Sequence, residues 1–359
     1  MKIAQRSFLD QVGDHVSRAL GPLVRRVPGR RKVAFVLSGG GSLGAVQIGM
    51  LRALVEAGIR PDLVIGCSVG AINGAGFAAD PTLRGVARME RIWRRMAAGN
   101  PDIMPGRFIP LAVQLARKGQ ALHDPARLES LLKEEFPVSH FSDLRIPFQC
   151  VATDLRAASE YWFDSGPLVP ALMASASLPA VYPACEIDGR LLIDGGVLNE
   201  IHTHRAIHLG ATELYVLHVG HLGDRSRPVQ RPFDSAMQAY WTARRFRFED
   251  DLRRIPSQCI VHRLPAGETP RLRFDDFSQV SQLIELAYAS TTGYLRPGQE
   301  PTTQSPRSEV QDPGKADPGT TMPAELAFAL QPFALQHSDL QHSEDAPVGE
   351  PSSDGNLSH

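Results

Sequence analysis

Residues 33–76 contain two turns that connect a strand to a helix, and glycines mark both of them. The apolar, β-forming run Val33–Leu37 leads into Ser-Gly-Gly-Gly-Ser-Leu-Gly at 38–44, a sequence that breaks regular structure. A mostly apolar stretch at 45–57 then predicts a buried helix. Residues 63–65 predict a second strand, which ends in Gly-Cys-Ser-Val-Gly at 66–70. The remaining elements have to be arranged around these two turns.

The second turn carries a candidate nucleophile, Ser68. In a Gly-x-Ser-x-Gly sequence between a strand and a helix, the serine is held in a strained conformation, and the flanking glycines have no Cβ to collide with their neighbours. Gly66 and Gly70 occupy those positions. The pattern therefore predicts that the Ser68 hydroxyl projects above the edge of the sheet.

The first turn is predicted to lie at the same edge of the sheet. Its glycines Gly39, Gly40 and Gly41 offer backbone N–H groups that no side chain shields. Such groups can converge on one negatively charged oxygen. The sequence therefore indicates a nucleophile with an oxyanion hole beside it.

A general base is required to activate the serine, and two kinds are available. Asp194 ends the apolar run at 191–193 and precedes two glycines. A carboxylate is a poor base at its ordinary pKa of about 3.9, but burial raises that value. The alternative is a histidine of a Ser-His-Asp triad, for which six residues are available: His202, His204, His208, His218, His221 and His262. Their spacing does not choose among them.

Cofactor and metal sites are not indicated. The pattern Gly39-x-Gly41-x-x-Gly44 also fits a dinucleotide fingerprint, but that site needs an acidic residue at the end of the second strand. Asp62 stands at the start of that strand instead. His202 and His204 have ligand-like spacing, but no carboxylate or cysteine pattern completes a metal site.

The distribution of elements predicts one α/β domain over residues 33–296. Of the 359 residues, 43% are hydrophobic, which is enough for a substantial core. Predicted strands and helices alternate, which favours a three-layer α/β/α sandwich with a mainly parallel central sheet. We expect a basic, amphipathic arm at 1–32, which either contacts an anionic membrane surface or packs on the domain as a solvated helix, and a disordered, acidic tail rich in Pro and Ser at 297–359. The alternation of arginine and phenylalanine at 244–248 is a second candidate for the membrane contact.

The net charge and the cysteine content indicate which classes of partner and which cellular compartment to expect. A net charge of −1 argues against nucleic-acid binding. The four cysteines are scattered, without Cys-x-x-Cys spacing, so a reducing compartment is expected. Neither an 18-residue apolar run nor a secretory h-region is found, so we expect a cytoplasmic protein, peripheral at the inner membrane through its arm.

The order and spacing of these motifs resemble those of the bacterial patatin-like phospholipases. The resemblance lies in the glycine loop at 38–44, the Gly-Cys-Ser-Val-Gly turn at 66–70, and Asp-Gly-Gly at 194–196, with intervening blocks at 151–155 and 174–179. It extends from residue 33 to about residue 220. It implies a patatin-like fold and a metal-free Ser68–Asp194 dyad that cleaves acyl esters of lipids through an acyl-enzyme.

Two departures from the family pattern bear on that implication. Leu43 stands where the family commonly has Arg or Lys, so the positive charge near the oxyanion hole is missing or comes from elsewhere. The sequence Asn-Glu-Ile-His at 199–202 replaces the common Asn-x-Pro-Val. The alternative function is therefore a catalytically weak or silent relative that binds lipid or regulates.

Overall fold

The computed structural model describes residues 31–98, 125–179, 181–220, 232–267 and 276–296. The predicted tail at 297–359 and the first thirty residues of the predicted arm lie outside these ranges. The last two residues of that arm contact the domain: Arg31 pairs with Glu213, and the Lys32 ammonium donates to the Leu209 carbonyl.

Strands and helices alternate along the described residues. The strands are β1 (Val33–Leu37), β2 (Leu63–Cys67), β3 (Phe148–Asp154), β4 (Ser159–Phe163), β5 (Cys185–Ile187), β6 (Arg190–Asp194), β7 (Glu213–Leu217) and β8 (Ile260–Arg263). The helices are α1 (Ala45–Glu56), α2 (Val69–Ala79), α3 (Leu83–Ala97), α4 (Pro125–Glu135), α5 (Leu168–Ser175), α6 (Thr203–His208), α7 (Pro232–Arg253) and α8 (Val280–Tyr294). None of these helices is long and apolar enough to cross a membrane.

The strands of the described ranges form one sheet in the order β5-β6-β3-β2-β1-β7-β8, and β4 pairs with β3. In this spatial order, the pairs β3–β2, β2–β1, β1–β7 and β7–β8 are parallel. Strands β4 and β6 run antiparallel to β3. Helices cover both faces of the sheet, so the predicted three-layer α/β/α architecture with a mainly parallel centre is confirmed. The antiparallel strands are confined to one end.

Strand β1 shows why both faces are covered. Phe35 and Leu37 pack into the larger core with α1, α2, α3 and α8, whereas Ala34 and Val36 pack into a smaller core with α6 and α7. Successive side chains of a strand point to opposite faces. An apolar run without polar alternation is therefore buried on both sides, which is typical of parallel sheets.

Helices α1 and α8 approach closely at Gly49. A Cβ at this position would lie 2.1 Å from the Ile284 carbonyl oxygen and 2.7 Å from the Tyr288 backbone nitrogen. Both atoms belong to the backbone of α8, so neither can move aside cheaply. The absence of a side chain at Gly49 thus sets the distance between the two helices.

We expect Gly49→Ala to lower the free energy of unfolding by about 1–3 kcal/mol, because the added methyl forces α1 and α8 apart. The usual effect of Gly→Ala inside a helix has the opposite sign. Gly293→Ala in α8 is the matched control, since a Cβ there meets nothing within 4 Å. Urea unfolding of both variants measures the difference. Equal stability of the two would contradict this account of the packing.

Candidate active site

The site lies where two strands running in opposite directions end beside the same strand, β3. Strand β2 pairs with β3 over residues 148–151, and β6 pairs with it over 152–154. Because β4 pairs with 150–154 on the other edge, β2 and β6 share one edge of β3. Their C-terminal ends therefore face each other. The residue after β2 is Ser68, and the last residue of β6 is Asp194.

Ser68 and Asp194 are joined by a short hydrogen bond. The Ser68 hydroxyl donates to Asp194 Oδ2 at 2.5 Å. The other carboxylate oxygen, Oδ1, accepts the Gly196 N–H at 2.7 Å, and the Asp194 side chain is only 2% exposed. Each carboxylate oxygen thus has a donor, which fixes the orientation of the group toward the serine.

The turn around Ser68 is strained in the way the sequence predicts. Ser68 has φ 55° and ψ −127°, in a region of backbone space that residues with a Cβ rarely occupy. A Cβ at Gly66 would lie 2.4 Å from the Gly70 carbonyl oxygen, and one at Gly70 would lie 2.4 Å from the Ser38 carbonyl oxygen. Both glycines are therefore needed for the turn to close.

The C-terminal end of α5 holds both reacting residues. Ser175 Oγ accepts the Ser68 N–H at 3.0 Å, and the Ser177 carbonyl accepts the Asp194 N–H at 2.9 Å. Sequence reasoning noted this block only as part of the family resemblance. The signal for its role was a pair of serines among small apolar residues, too general to identify a support for the site.

The glycine loop lies beside Ser68, but its three N–H groups are not equivalent. The Gly39 N–H donates to the Glu200 carbonyl at 3.3 Å, whereas Gly40 and Gly41 line the cavity that contains Ser68. A Cβ at Gly40 would lie 2.2 Å from Val219. Gly40 and Gly41 are therefore the better placed of the three predicted oxyanion donors.

A series of buried side-chain hydrogen bonds supports the glycine loop. The Trp93 indole donates to the Asn73 amide oxygen at 3.0 Å, and the Asn73 amide nitrogen donates to Gln47 Oε1 at 2.9 Å and to the Gly44 carbonyl at 3.0 Å. Gln47 in turn donates to the Ser38 carbonyl at 2.8 Å. Helices α1, α2 and α3 thus hold the loop through groups with satisfied hydrogen bonds.

The cavity at the site is apolar away from the reacting residues. Ser68, Asp194, Gly40 and Gly41 contribute to its polar part. Much of the remaining wall comes from α2, α3 and α4 and from the residue that follows α4, including Val69, Ile72, Met89, Trp93, Leu132 and Phe136. Such a wall suits a hydrocarbon chain, because it removes apolar surface from water.

A buried arginine that sequence reasoning assigned elsewhere also lines this cavity. Arg244 is only 3% exposed and Phe248 is only 1% exposed, so the alternation of arginine and phenylalanine at 244–248 is not a surface pattern. In that run Phe246 is 70% exposed, and Arg247 is exposed as well. Interpreting the whole run as a membrane contact was therefore wrong for its two buried members.

Burial is the main influence on the acid–base behaviour of Asp194. Loss of water raises the pKa of its carboxyl group above the ordinary value. The positive charge of Arg244 and the hydrogen bonds from Ser68 and Gly196 oppose that rise without cancelling it. A carboxylate with a raised pKa is a stronger base, which suits it to accept the serine proton.

Four of the candidate histidines lie beside carboxylates other than Asp194. His202 and His204 lie 3.3 Å from the two oxygens of Glu160, His218 pairs with Glu200 at 2.7 Å, and His262 pairs with Glu213 at 3.1 Å. The hydrogen-bond partner of the Ser68 hydroxyl is Asp194. His221 lies outside the described residues. Within the described ranges, no group of three or more His, Cys, Asp or Glu side chains is arranged to hold a metal ion.

Comparison with known proteins finds relatives of the region that contains this site. Residues 35–207 match the family described as patatin-like phospholipase. The patatin-like phospholipase domain-containing protein ZK370.4 of Caenorhabditis elegans is 28% identical over 279 residues, which are 75% of this chain and 19% of that protein. Neuropathy target esterase sws of Drosophila melanogaster is 31% identical over 194 residues, 54% of this chain and 13% of the relative.

A third relative, lysophospholipase nte1 of Aspergillus terreus, is 26% identical over 227 residues, 61% of this chain and 14% of the relative. The chain thus spans about a fifth or less of the length of these relatives. They come from animals and a fungus, so they do not support the narrower assignment to bacterial patatin-like proteins. Over residues 35–207, which include Ser68, Asp194 and the glycine loop, the chain nevertheless matches the patatin-like phospholipase family.

Proposed function

We propose that this chain is a lipid acyl hydrolase that cleaves carboxylic esters through a Ser68–Asp194 dyad. The observation that carries the proposal is the 2.5 Å hydrogen bond from the serine hydroxyl to a buried carboxylate, beside an apolar cavity. The family match and the esterase and lysophospholipase names of relatives support the same reaction class.

The first half of the reaction forms an acyl-enzyme. Ser68 Oγ attacks the ester carbonyl carbon as its proton passes to Asp194, and the carbonyl oxygen becomes an oxyanion. The N–H groups of Gly40 and Gly41 stabilise that oxyanion, at about 3 kcal/mol for a donor of this kind. When the tetrahedral intermediate collapses, the C–O bond to the alcohol breaks and the alcohol leaves with the proton from Asp194.

The second half of the reaction is hydrolysis of the acyl-enzyme. A water molecule loses a proton to Asp194 and attacks the acyl carbon, which forms a second tetrahedral intermediate. Its collapse releases the fatty acid and returns the proton to Ser68. The Ser175 hydroxyl, as acceptor of the Ser68 N–H, keeps the strained turn in place through both halves.

The apolar cavity bears on the class of acyl group. Its wall of side chains from α2, α3 and α4 begins at the reacting serine, so a hydrocarbon chain placed there brings its carbonyl to Ser68. Binding of the chain then positions the ester for attack. The proposed substrate is a lipid acyl ester, and the cavity by itself does not select among headgroups.

We expect Ser68→Ala to lower turnover of p-nitrophenyl butyrate by at least about a thousandfold, because the acyl-enzyme cannot form. Stopped-time assays of purified wild type and variant measure the loss. The matched control is Ser165→Ala, which changes a serine that bonds Asp164. Equal rates for wild type and Ser68→Ala would instead favour the silent lipid-binding relative.

We expect Asp194→Asn to lower kcat by about 10²–10⁴-fold, the usual contribution of a general base. The amide keeps an acceptor for the Gly196 N–H but cannot take the serine proton. His218→Gln is the comparison, because His218 is the base that a triad could draw on near the glycine loop. A large loss in His218→Gln with activity retained in Asp194→Asn would establish a histidine mechanism.

The basic arm is proposed to bring the enzyme to an anionic membrane surface. We expect the full chain to sediment with vesicles containing phosphatidylserine more than a form without residues 1–30, and raised salt to remove the difference. Keeping Arg31 and Lys32 preserves their contacts with Glu213 and Leu209. Neutral phosphatidylcholine vesicles are the control, and equal sedimentation of both forms would exclude the arm.

A further inference from the structure

A buried cation, the guanidinium of Arg244, lies between the glycine loop and the loop that follows Asp194. Arg244 Nη2 is 3.1 Å from the point where a Cβ of residue 39 would stand, and Ser68 Cβ is 3.1 Å from the same point. At residue 196 an added Cβ would meet Arg244 Nη2 at 2.8 Å and Asp194 Oδ1 at 2.9 Å. Gly39 and Gly196 thus leave the space in which the guanidinium lies.

The guanidinium is fixed by neighbours of its own. Glu200 Oε2 lies 3.2 Å from Arg244 Nη2, and Arg244 Nη1 donates to the Tyr240 hydroxyl at 3.2 Å. The other oxygen of Glu200 pairs with His218 at 2.7 Å. A buried charge is costly unless it is paired, so this chain of contacts both stabilises Arg244 and sets its orientation.

We infer that Arg244 is a positioning residue of the reaction: its fixed positive charge holds the buried Asp194 as a carboxylate, ready to accept the proton of Ser68. The inference rests on the proposed function. The positive charge at the site thus belongs to a residue of α7. The glycine loop does not supply it, because Leu43 of that loop is apolar and buried in the core.

Three ionisable neighbours of Asp194 have pKa values shifted toward their uncharged forms. Burial lowers the pKa of His202, which precedes α6, and raises the pKa values of Cys67 at the end of β2 and Tyr240 on α7. Burial also raises the pKa of Asp194 itself, and Arg244 is the largest influence against that rise. Glu200, with its partner His218, pairs with the guanidinium and carries the opposing negative charge.

The test is the pH dependence of kcat/KM for p-nitrophenyl butyrate, measured from pH 5 to pH 9 with the full chain. The base works only when ionised, so activity falls below the pKa of Asp194. We expect Arg244→Gln to move this acid limb upward by about one pH unit or more, as expected when a neighbouring opposite charge is removed. Arg244→Lys keeps the charge and should stay near wild type. Arg247→Gln, an exposed arginine of the same helix, should overlay wild type.

Glu200→Gln provides a test of opposite sign. Removing its negative charge leaves Arg244 less neutralised, so the acid limb should move to lower pH. Damage to the fold would not shift the two variants in opposite directions, and if Arg244→Gln does not fold, Arg244→Lys and Glu200→Gln carry the test. The inference would be overturned if the acid limb of Arg244→Gln did not move, or if the limbs of Arg244→Gln and Glu200→Gln moved in the same direction. If Arg244→Gln does not fold, an unmoved acid limb in Glu200→Gln would overturn it. Turnover retained in Ser68→Ala would instead overturn the proposed function.

Discussion

The short hydrogen bond between Ser68 and Asp194 depends on an unusual junction in the sheet. When strands are parallel, the loops after them lie side by side along one edge of the sheet, so the strand ends do not point at each other. Here β6 runs against β2 along the same edge of β3, so the two ends point at each other. Strand β3 therefore acts as a common support, and its residues Val151 and Ala152 pair with Cys67 and Asp194 in turn. The close approach needs glycine beyond the junction as well, since a Cβ at Gly195 would lie 2.5 Å from the Val151 carbonyl oxygen.

The residues that carry local conformational demands could be predicted from the sequence. A glycine cluster after a strand, a Gly-x-Ser-x-Gly turn and an aspartate before two glycines each require an unusual backbone conformation. Residues adjacent in the sequence are enough to recognise such a requirement. The alternation of elements likewise predicted the three layers. The antiparallel direction of β6 was not predicted, because an apolar run of three residues has the same pattern in either direction. The short strand β5 was missed, since Cys185–Ile187 offers too few residues to show a period.

Residues that act through tertiary contacts escaped prediction. Arg244 belongs to a helix with many charged residues, and its sequence neighbours Phe246 and Arg247 are exposed, so the run suggested a surface. Only the fold shows that Arg244 turns inward, toward Glu200 and the two glycine loops. Ser175 and Ser177 were overlooked for a related reason. Their contacts with Ser68 and Asp194 join parts of the chain that are separate in sequence, and neither serine type nor spacing indicates such partners.

The position of Arg244 has a consequence for the size of the working unit. The family match ends at residue 207, whereas Arg244 lies on α7 and α8 packs on α1 near Gly49. A fragment cut at the end of the match would keep the nucleophile, the base and the glycine loop, yet it would lose the guanidinium and open the apolar face of α1 to water. A piece of this chain that keeps these contacts therefore extends to the end of α8, so fragments intended for crystallisation or transfer to another protein should include both late helices.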